Sequence, residues 1–301
     1  MRYMTIRMEN LTKMIGHRLI VNNLSLMVEP GETYGFLGPN GAGKTTTIRM
    51  MLNYVRPTSG RALVLGLDSR HHDYAIRQQV GYAPADCSLR GRQSGAELLH
   101  NLAKLRRGVD WDYVEELAAK FNLDLTMPLD QLNAEGRQKL TLVQAFMHRP
   151  ELIILDEPSK TLGLQSRQVL YKLIHNARAE GRTTFLSSSI LAEMERLCDR
   201  VAVIHQGNLI AIERGVQLRS RAMRFIELRF ATPVQPEAFA NVANLQNLII
   251  EDNILRCTVC GDPDALIKAA SQYRVVDFVS QTPNLEEVFQ RYYGVEGYVA
   301  N

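Results

Sequence analysis

A glycine-rich stretch near the start of the chain has the spacing of a phosphate-binding loop. Residues 38–45 read Gly-Pro-Asn-Gly-Ala-Gly-Lys-Thr, which is G-x-x-x-x-G-K-T. Glycines let backbone N–H groups turn toward a polyphosphate, Lys44 reaches the β- and γ-phosphates, and the Thr45 hydroxyl is suited to ligate Mg²⁺. The spacing predicts a nucleotide site. Its predicted contacts are Gly38, Pro39, Asn40, Gly41, Ala42, Gly43, Lys44, Thr45 and Thr46.

A pair of acids follows a second apolar run. Residues 152–155 are Leu-Ile-Ile-Leu, and Asp156 and Glu157 come directly after them. Ligands bind beyond the carboxyl ends of strands in open α/β sheets, so we expect Asp156 to hold the metal. Glu157 then has the remaining task in phosphoryl transfer, which is to orient or deprotonate the attacking water. The alternative is a surface acid pair after a core strand, and the phosphate loop argues against it.

Two kinds of elements must position these residues. Residues 33–37 predict a strand entering the phosphate loop, and residues 46–52 predict a helix leaving it, whose N-terminus adds partial positive charge. Alternating apolar and polar residues from 3 to 37 indicate a small antiparallel sheet. Further buried strands at 183–187 and 201–204, separated by a helix, indicate a mainly parallel sheet covered by helices.

The rest of the chain divides into an insert and an appendage. Leucines at three- and four-residue spacing between 94 and 121 predict helices, which belong to a helical insert of about residues 86–145. We predict an α/β domain over 1–218 and a small α+β domain over 219–301. In the latter we predict strands at 224–230 and 249–259 and helices at 237–242, 263–270 and 284–293.

Composition narrows the class of protein. The chain has 301 residues, of which 46% are hydrophobic and 22% charged, and its net charge of +3 is too small to indicate nucleic-acid binding. No apolar run approaches the roughly 18 residues of a membrane span, and no signal-peptide core begins the chain, so we expect a cytosolic protein. The four cysteines, Cys87, Cys198, Cys257 and Cys260, are expected to be free thiols.

Three segments together resemble the nucleotide-binding subunits of ABC transporters. They are residues 37–46, residues 136–139 with 145–151, and residues 155–159. The resemblance covers residues 4–295 and is strongest to the ATPases of bacterial drug- and exotoxin-type exporters. It implies the P-loop NTPase fold of ABC type, ATP and Mg²⁺ as cofactors, and separate membrane-spanning permease subunits as partners. It also implies a second nucleotide-binding subunit and a place at the inner face of the cell membrane.

Several positions depart from the pattern of that family. In the signature loop, Asn133 replaces a serine, and Glu135 introduces charge and bulk where a glycine is usual. Gly163 aligns with an aspartate, and Ser189 with a histidine that contacts the γ-phosphate. Serine cannot carry a positive charge near neutral pH as histidine can. Ala85 lies where glutamine is usual, and Ile15 where a tyrosine stacks on adenine.

The altered positions suggest tight ATP binding with slow hydrolysis by a homodimer. Residues that hold ATP and metal are retained, whereas residues that contact the γ-phosphate or the partner are changed. An ordinary ATPase that tolerates these changes is the first alternative. A heterodimer is the second, with a partner that supplies an intact signature loop. Other classes are an ABC ATPase acting on ribosomes or DNA and an ATP sensor with a regulatory role. A single phosphate loop and a short insert speak against the former.

Overall fold

The computed structural model describes residues 4–86, 89–106, 109–215 and 223–281. The chain divides into two compact units, Met1–Glu213 and Arg214–Asn301, which are described separately. The strands are β1 (Ile6–Ile15), β2 (Arg18–Val28), β3 (Thr33–Leu37), β4 (Ser59–Val64), β5 (Leu67–Asp68), β6 (Val80–Ala83), β7 (Leu152–Asp156), β8 (Thr183–Ser188), β9 (Arg200–His205), β10 (Asn208–Arg214), β11 (Met223–Phe230), β12 (Leu245–Glu251), β13 (Ile254–Cys260) and β14 (Val275–Gln281).

The described helices are fewer and mostly lie in the first unit. They are α1 (Lys44–Met51), α2 (Asp73–Gln79), α3 (Gly95–Lys104), α4 (Trp111–Lys120), α5 (Ala134–Phe146), α6 (Leu164–Ala179), α7 (Leu191–Leu197) and α8 (Asp264–Ala270). None of the helices in the described part of the chain is long and apolar enough to cross a membrane.

A six-stranded sheet forms the centre of the first unit, in the order β10-β9-β3-β8-β7-β6. The pairs β3–β8, β3–β9, β7–β8 and β6–β7 are all parallel. Every residue of β3, β7 and β8 is buried, as expected for parallel strands that are covered on both faces. This sheet brings the carboxyl ends of β3, β7 and β8 to one edge, where the predicted site residues begin. The predicted parallel, helix-covered core is confirmed.

A second sheet has the order β2-β1-β4-β5, and its pairs are antiparallel. Its first two strands confirm the antiparallel sheet predicted near the N-terminus. The prediction that this antiparallel sheet extends to residue 37 was wrong, because β3 belongs to the central sheet instead. All five β3 residues are buried, whereas buried and exposed residues intersperse along β1 and β2. A strand buried on both faces fits the centre of a covered sheet.

Three helices, α3, α4 and α5, lie between β6 and β7 and confirm the helical insert. Ser94 begins α3 with a capping box, in which its hydroxyl accepts from the Glu97 N–H and Glu97 accepts from the Ser94 N–H. The predicted leucine pattern buries Leu99 on α3 and Leu117 on α4. Both helices therefore turn one apolar face inward.

The second unit is a four-stranded sheet, β12-β13-β11-β14, with α8 beside it. Its core includes Phe230, Phe239 and Leu255. The single strand predicted over 249–259 was wrong: β12 and β13 form an antiparallel hairpin that turns at Asp252, whose φ is +52°. The segment predicted as a helix over 237–242 holds only a short 3-10 turn, Pro236–Ala238.

Other predictions for this unit have different outcomes. The helix predicted over 263–270 is confirmed as α8, and β14 was not predicted. The predicted last helix at 284–293 lies outside the described residues. Cys257 and Cys260 are free thiols in β13, and Cys198 is also free, as expected. Cys87 falls outside the described residues.

Candidate nucleotide site

The phosphate loop connects the buried strand β3 to α1, and two of its glycines are required by close backbone approaches. A Cβ on Gly38 would lie 2.4 Å from the Ile204 carbonyl oxygen. Gly43 has φ of +105°, and a Cβ there would lie 2.7 Å from the carbonyl oxygen of Ile20. L-residues with side chains rarely adopt this conformation. The loop therefore passes against the backbones of β2 and β9, which holds it in one shape.

The ammonium group of Lys44 is folded back over this loop. Its Nζ donates to the carbonyl oxygens of Gly38 at 2.6 Å and Pro39 at 3.0 Å. It also forms an ion pair with Glu157, Nζ to Oε1, at 2.9 Å. The Lys44 side chain is only 5% exposed and that of Glu157 11%. Lys44, the predicted phosphate ligand, and Glu157, the predicted catalytic carboxylate, are thus in direct contact.

Asp156 ends β7 and is completely buried. Its Oδ1 accepts a hydrogen bond from the Ser187 hydroxyl at 2.6 Å. Burial raises the pKa of Asp156, while the hydroxyls of Ser187 and Thr45 act in the opposite direction. Within the described residues, Oδ2 of Asp156 has no hydrogen-bond partner. A buried carboxylate oxygen without a donor, close to the Thr45 hydroxyl, fits a hard cation such as Mg²⁺.

Glu157 is held on both sides in an unusual backbone conformation. Its φ is +48°, in the left-handed region that a glutamate seldom adopts. Its N–H donates to the carbonyl oxygen of Ser187 at 3.2 Å and to the Ser187 hydroxyl at 3.0 Å. Its carbonyl oxygen accepts from the N–H of Lys160 at 3.2 Å. These contacts direct the Glu157 side chain toward Lys44.

A cavity of about 430 Å³ opens beside the phosphate loop. Several of its walls were not predicted from sequence, because they come from distant parts of the chain. The predicted residues Asn40, Gly41, Gly43, Lys44, Thr45, Thr46, Ala85 and Glu157 line it together with Arg18, Ile20, Arg49, Asp86 and Lys160. Three of the added residues are basic, which suits an anionic ligand.

Ile15, the predicted adenine contact, lies at the end of β1. Its side chain is 58% exposed, and it does not belong to the wall of this cavity. The aliphatic side chain in the wall is instead Ile20 from β2. The role of Ile15 stays a prediction.

The altered residues of the signature loop are used in local structure. Asn133 caps α5, because its Oδ1 accepts from the Gly136 N–H at 2.7 Å. Glu135 extends from the first turn of α5 to the start of α6. There its Oε1 accepts from the Ser166 hydroxyl at 2.7 Å and from the Gly163 N–H at 3.2 Å. Two altered positions, Glu135 and Gly163, are therefore in direct contact.

The segment after β8 contains a buried carboxylate that was not predicted. Glu193 on α7 is 3% exposed. It accepts hydrogen bonds from the hydroxyls of Ser159 at 3.0 Å, Ser188 at 2.7 Å and Tyr171 at 3.0 Å. Ser189, which aligns with the histidine of the family, follows Ser188 and is half-buried. Glu193 thus connects the loops after β7 and β8.

The sequence pattern of the ABC transporter family matches residues 21–160. The chain is 36% identical over 228 residues to the bacitracin transport ATP-binding protein BcrA of Enterococcus faecalis, covering 74% of this chain and 73% of that protein. It is 31% identical to the Nod factor export ATP-binding protein I of Burkholderia lata, covering 97% of each.

Solved structures agree with these relatives. The structure of an ATP-binding subunit of an ABC transporter is 26% identical, with a TM-score of 0.65, and the match covers 70% of this chain and 90% of that one. A dimeric ATP-binding cassette with ADP and Pi, 18% identical, shares the fold at a TM-score of 0.63, over 69% of this chain and 98% of that one. The chain belongs to the ABC transporter family and is one of its ATP-binding subunits.

Proposed function

We propose that this subunit binds Mg–ATP between the phosphate loop and the carboxyl end of β7, and that Glu157 activates the attacking water. The observation that carries the proposal is the ion pair of Lys44 with Glu157 at 2.9 Å, beside the buried Asp156. It brings the phosphate ligand, the metal ligand and the general base into one small volume. General bases must lie within reach of the reacting atoms, and the contact of Glu157 with the phosphate ligand Lys44 supports this role.

Each retained residue has a separate task in this proposal. Lys44 leaves Glu157 to bind the β- and γ-phosphates, and residues 38–46 surround them with backbone N–H groups. Thr45 and Asp156 would hold Mg²⁺, whose charge would offset the negative charge of the phosphates. Released from Lys44, Glu157 is free to accept a proton from water.

We further propose that turnover is slow. Ser189 has no imidazole to contact a γ-phosphate, and Glu135 uses its carboxylate within its own subunit. The altered positions Ala85, Asn133, Glu135, Gly163 and Ser189 leave the groups that bind ATP and metal intact. Binding without fast hydrolysis follows from that division. A second subunit, identical or not, completes the site.

The partners in this proposal are membrane-spanning permease subunits that export a substrate, with the chain at the inner face of the cell membrane. Two relatives carry the names of bacitracin transport and Nod factor export proteins. A mostly apolar groove of about 230 Å³ supports a docking surface between the insert and the core. Its walls are Pro84, Asp86, Leu89, Leu98, Leu102, Leu140, Thr141 and Gln144. It begins one residue before Ala85, so a partner seated there lies next to the nucleotide cavity.

Affinity purification from detergent-solubilised membranes of the native host tests this assignment. The tagged chain is expected to recover multi-span membrane proteins, and Leu98→Asp on α3 is expected to lose them. Leu105→Asp is the matched control, because Leu105 follows the same helix but is 63% exposed and outside the groove. Recovery of no membrane protein by the unaltered chain would contradict the proposal, as would equal recovery with Leu98→Asp.

A further inference from the structure

The start of α6 is capped by a residue from another helix. Gly163 occupies the N-cap position of α6, and the helix has no side-chain cap of its own. Serine, threonine, aspartate and asparagine are preferred there because their side chains accept from the first N–H groups of the helix. Glu135 supplies a carboxylate at this place from α5, 28 residues earlier in the chain. Glu135 accepts from the N–H of the N-cap residue, as the glutamate of a capping box does, but it does so from a different helix.

The Glu135 carboxylate is well matched to this position. It accepts from the Ser166 hydroxyl at 2.7 Å and the Gly163 N–H at 3.2 Å, and Lys139 lies 3.3 Å from its Oε1. The hydrogen bond from Ser166, followed by that from Gly163, lowers the pKa of Glu135. A negative charge is also favoured at the N-terminus of a 16-residue helix such as α6. The carboxylate is therefore ionised and oriented.

A side chain at residue 163 would begin in contact with the Glu135 carboxylate. A Cβ on Gly163 would lie 3.5 and 3.6 Å from the two carboxylate oxygens of Glu135. An aspartate at position 163 would place its own negative charge against them. Residues 135 and 163 are therefore coupled: glycine at 163 keeps a second negative charge away from Glu135, and Glu135 supplies an acceptor at the start of α6.

The segment held by this contact leads directly to Glu157. Between Glu157 and Gly163 the chain makes two successive turns, Lys160 N–H to the Glu157 carbonyl and Leu162 N–H to the Ser159 carbonyl, each at 3.2 Å. Glu157 itself has the unusual φ of +48°. A backbone in this conformation persists only when its surroundings hold it. At the first end of this segment, the Ser187 hydroxyl accepts from the Glu157 N–H; at the other end, Glu135 accepts from the Gly163 N–H.

We propose that Glu135 is a positioning residue: its carboxylate caps α6 across the two helices and thereby holds the 158–163 segment in the conformation that orients Glu157. The inference rests on the proposed role of Glu157 as the base. In this proposal, the two altered residues Glu135 and Gly163 act together to position Glu157. It also predicts that an aspartate at 163 replaces the function of Glu135 once the glutamate is removed.

The test measures single-turnover ATP hydrolysis, affinity for a fluorescent ATP analogue and melting temperature on the full chain. The variants are Glu135→Ala, Ser166→Ala, Gly163→Asp and the double variant Glu135→Ala with Gly163→Asp. Glu116→Ala is the matched control, because Glu116 also pairs with a lysine four residues later, Lys120, on an insert helix.

We expect Glu135→Ala to slow hydrolysis about fivefold, because Glu157 is then less well positioned, with nucleotide affinity unchanged. Ser166→Ala slows it less, and Gly163→Asp alone slows it through repulsion from Glu135. The double variant returns to within about twofold of the unaltered chain, in rate and melting temperature, because the introduced aspartate then caps α6 from the N-cap position itself. Glu116→Ala changes neither.

Three results would overturn the proposal. The first is an unchanged rate in Glu135→Ala. The second is a loss of nucleotide affinity equal to the loss of rate. The third is a double variant whose losses are the sum of the single ones. If Glu135→Ala fails to fold, Ser166→Ala and the double variant decide. Hydrolysis that survives Glu157→Gln would instead refute the assignment of Glu157 as the base. In that case the melting temperatures of the variants at residues 135 and 163 would still test the contact between these two residues.

Discussion

Replacing Glu157 by glutamine is expected to strengthen ATP binding while it removes hydrolysis. The Lys44 ammonium is bound to Glu157 at 2.9 Å and to two loop carbonyls. Phosphates must compete with that carboxylate for Lys44. The negative charge of Glu157 also lies close to the place of the γ-phosphate. Glu157→Gln removes both effects and changes the shape of the side chain very little.

The size of the effect follows from the geometry. Two unit charges 2.9 Å apart attract by about 6 kcal/mol at an effective dielectric constant of ~20, before desolvation is subtracted. Desolvation of a nearly buried pair cancels much of this. Hydrogen bonds to charged groups are worth about 1.5–3 kcal/mol net. Since the glutamine keeps a polar oxygen beside Lys44 but loses the charge, we expect the lower part of that range, which corresponds to about tenfold tighter ATP binding.

Titration calorimetry with ATP and Mg²⁺ measures the affinity, and phosphate release measures the rate. Glu157→Gln should bind about tenfold tighter and hydrolyse at least about 100-fold more slowly, the usual contribution of a general base. Glu151→Gln, an exposed acid just before β7, is the control and should change neither. Weaker or unchanged binding in Glu157→Gln would refute the reasoning that the ion pair competes with phosphate.

Three further substitutions have defined outcomes. Burial lowers the pKa of His148 from 6.5 to about 3, and the positive charges of Arg106 and Arg182 act in the same direction. As the pH falls below about 6.5, His148 is therefore protonated in the unfolded chain but not in the folded one. This difference lowers the free energy of unfolding by at most ~1.4 kcal/mol for each pH unit below that value. Urea titrations of the unaltered chain and of His148→Gln at pH 7 and pH 5 should show that the substitution removes this pH dependence. Ser187→Ala leaves Oδ1 of Asp156 without its donor and should cost about 1–3 kcal/mol in urea unfolding; a cost below ~0.5 kcal/mol would contradict the contact. Gly38→Ala forces a Cβ against the Ile204 carbonyl, so we expect ~1–3 kcal/mol of lost stability and loss of ATP binding, and unchanged calorimetry would refute the close approach.

Local patterns were sufficient for the phosphate loop and for the buried strand before Asp156. The glycine spacing dictates the loop, and four apolar residues before an acid pair indicate a covered strand. The hairpin of the second unit was missed because Asp252 and Asn253 interrupt an apolar run without glycine or proline. Only the left-handed φ of Asp252 reveals the turn. Such a turn depends on backbone pairing, which periodicity alone does not show.

Long-range contacts account for what sequence reasoning missed at the site. Arg18 and Ile20 reach the nucleotide cavity because β2 passes beside the phosphate loop. From the sequence alone, the negative charge of Glu135 is expected only to repel phosphate. Its hydrogen bond from the Gly163 N–H appears only in the folded chain. Glu193 is an ordinary helix glutamate in sequence, and only folding brings three hydroxyls to it. In each case the partner lies on a different element, so no spacing rule identifies it.

Steady-state hydrolysis of Mg–ATP by the purified chain tests most directly whether the retained residues bind ATP while its turnover stays slow. We expect saturable ATP binding, turnover below about 1 s⁻¹, and complete loss of that turnover in Glu157→Gln. Turnover in the ordinary enzyme range of roughly 1–10 s⁻¹ would contradict slow hydrolysis. Turnover that persists in Glu157→Gln would contradict the assignment of the base.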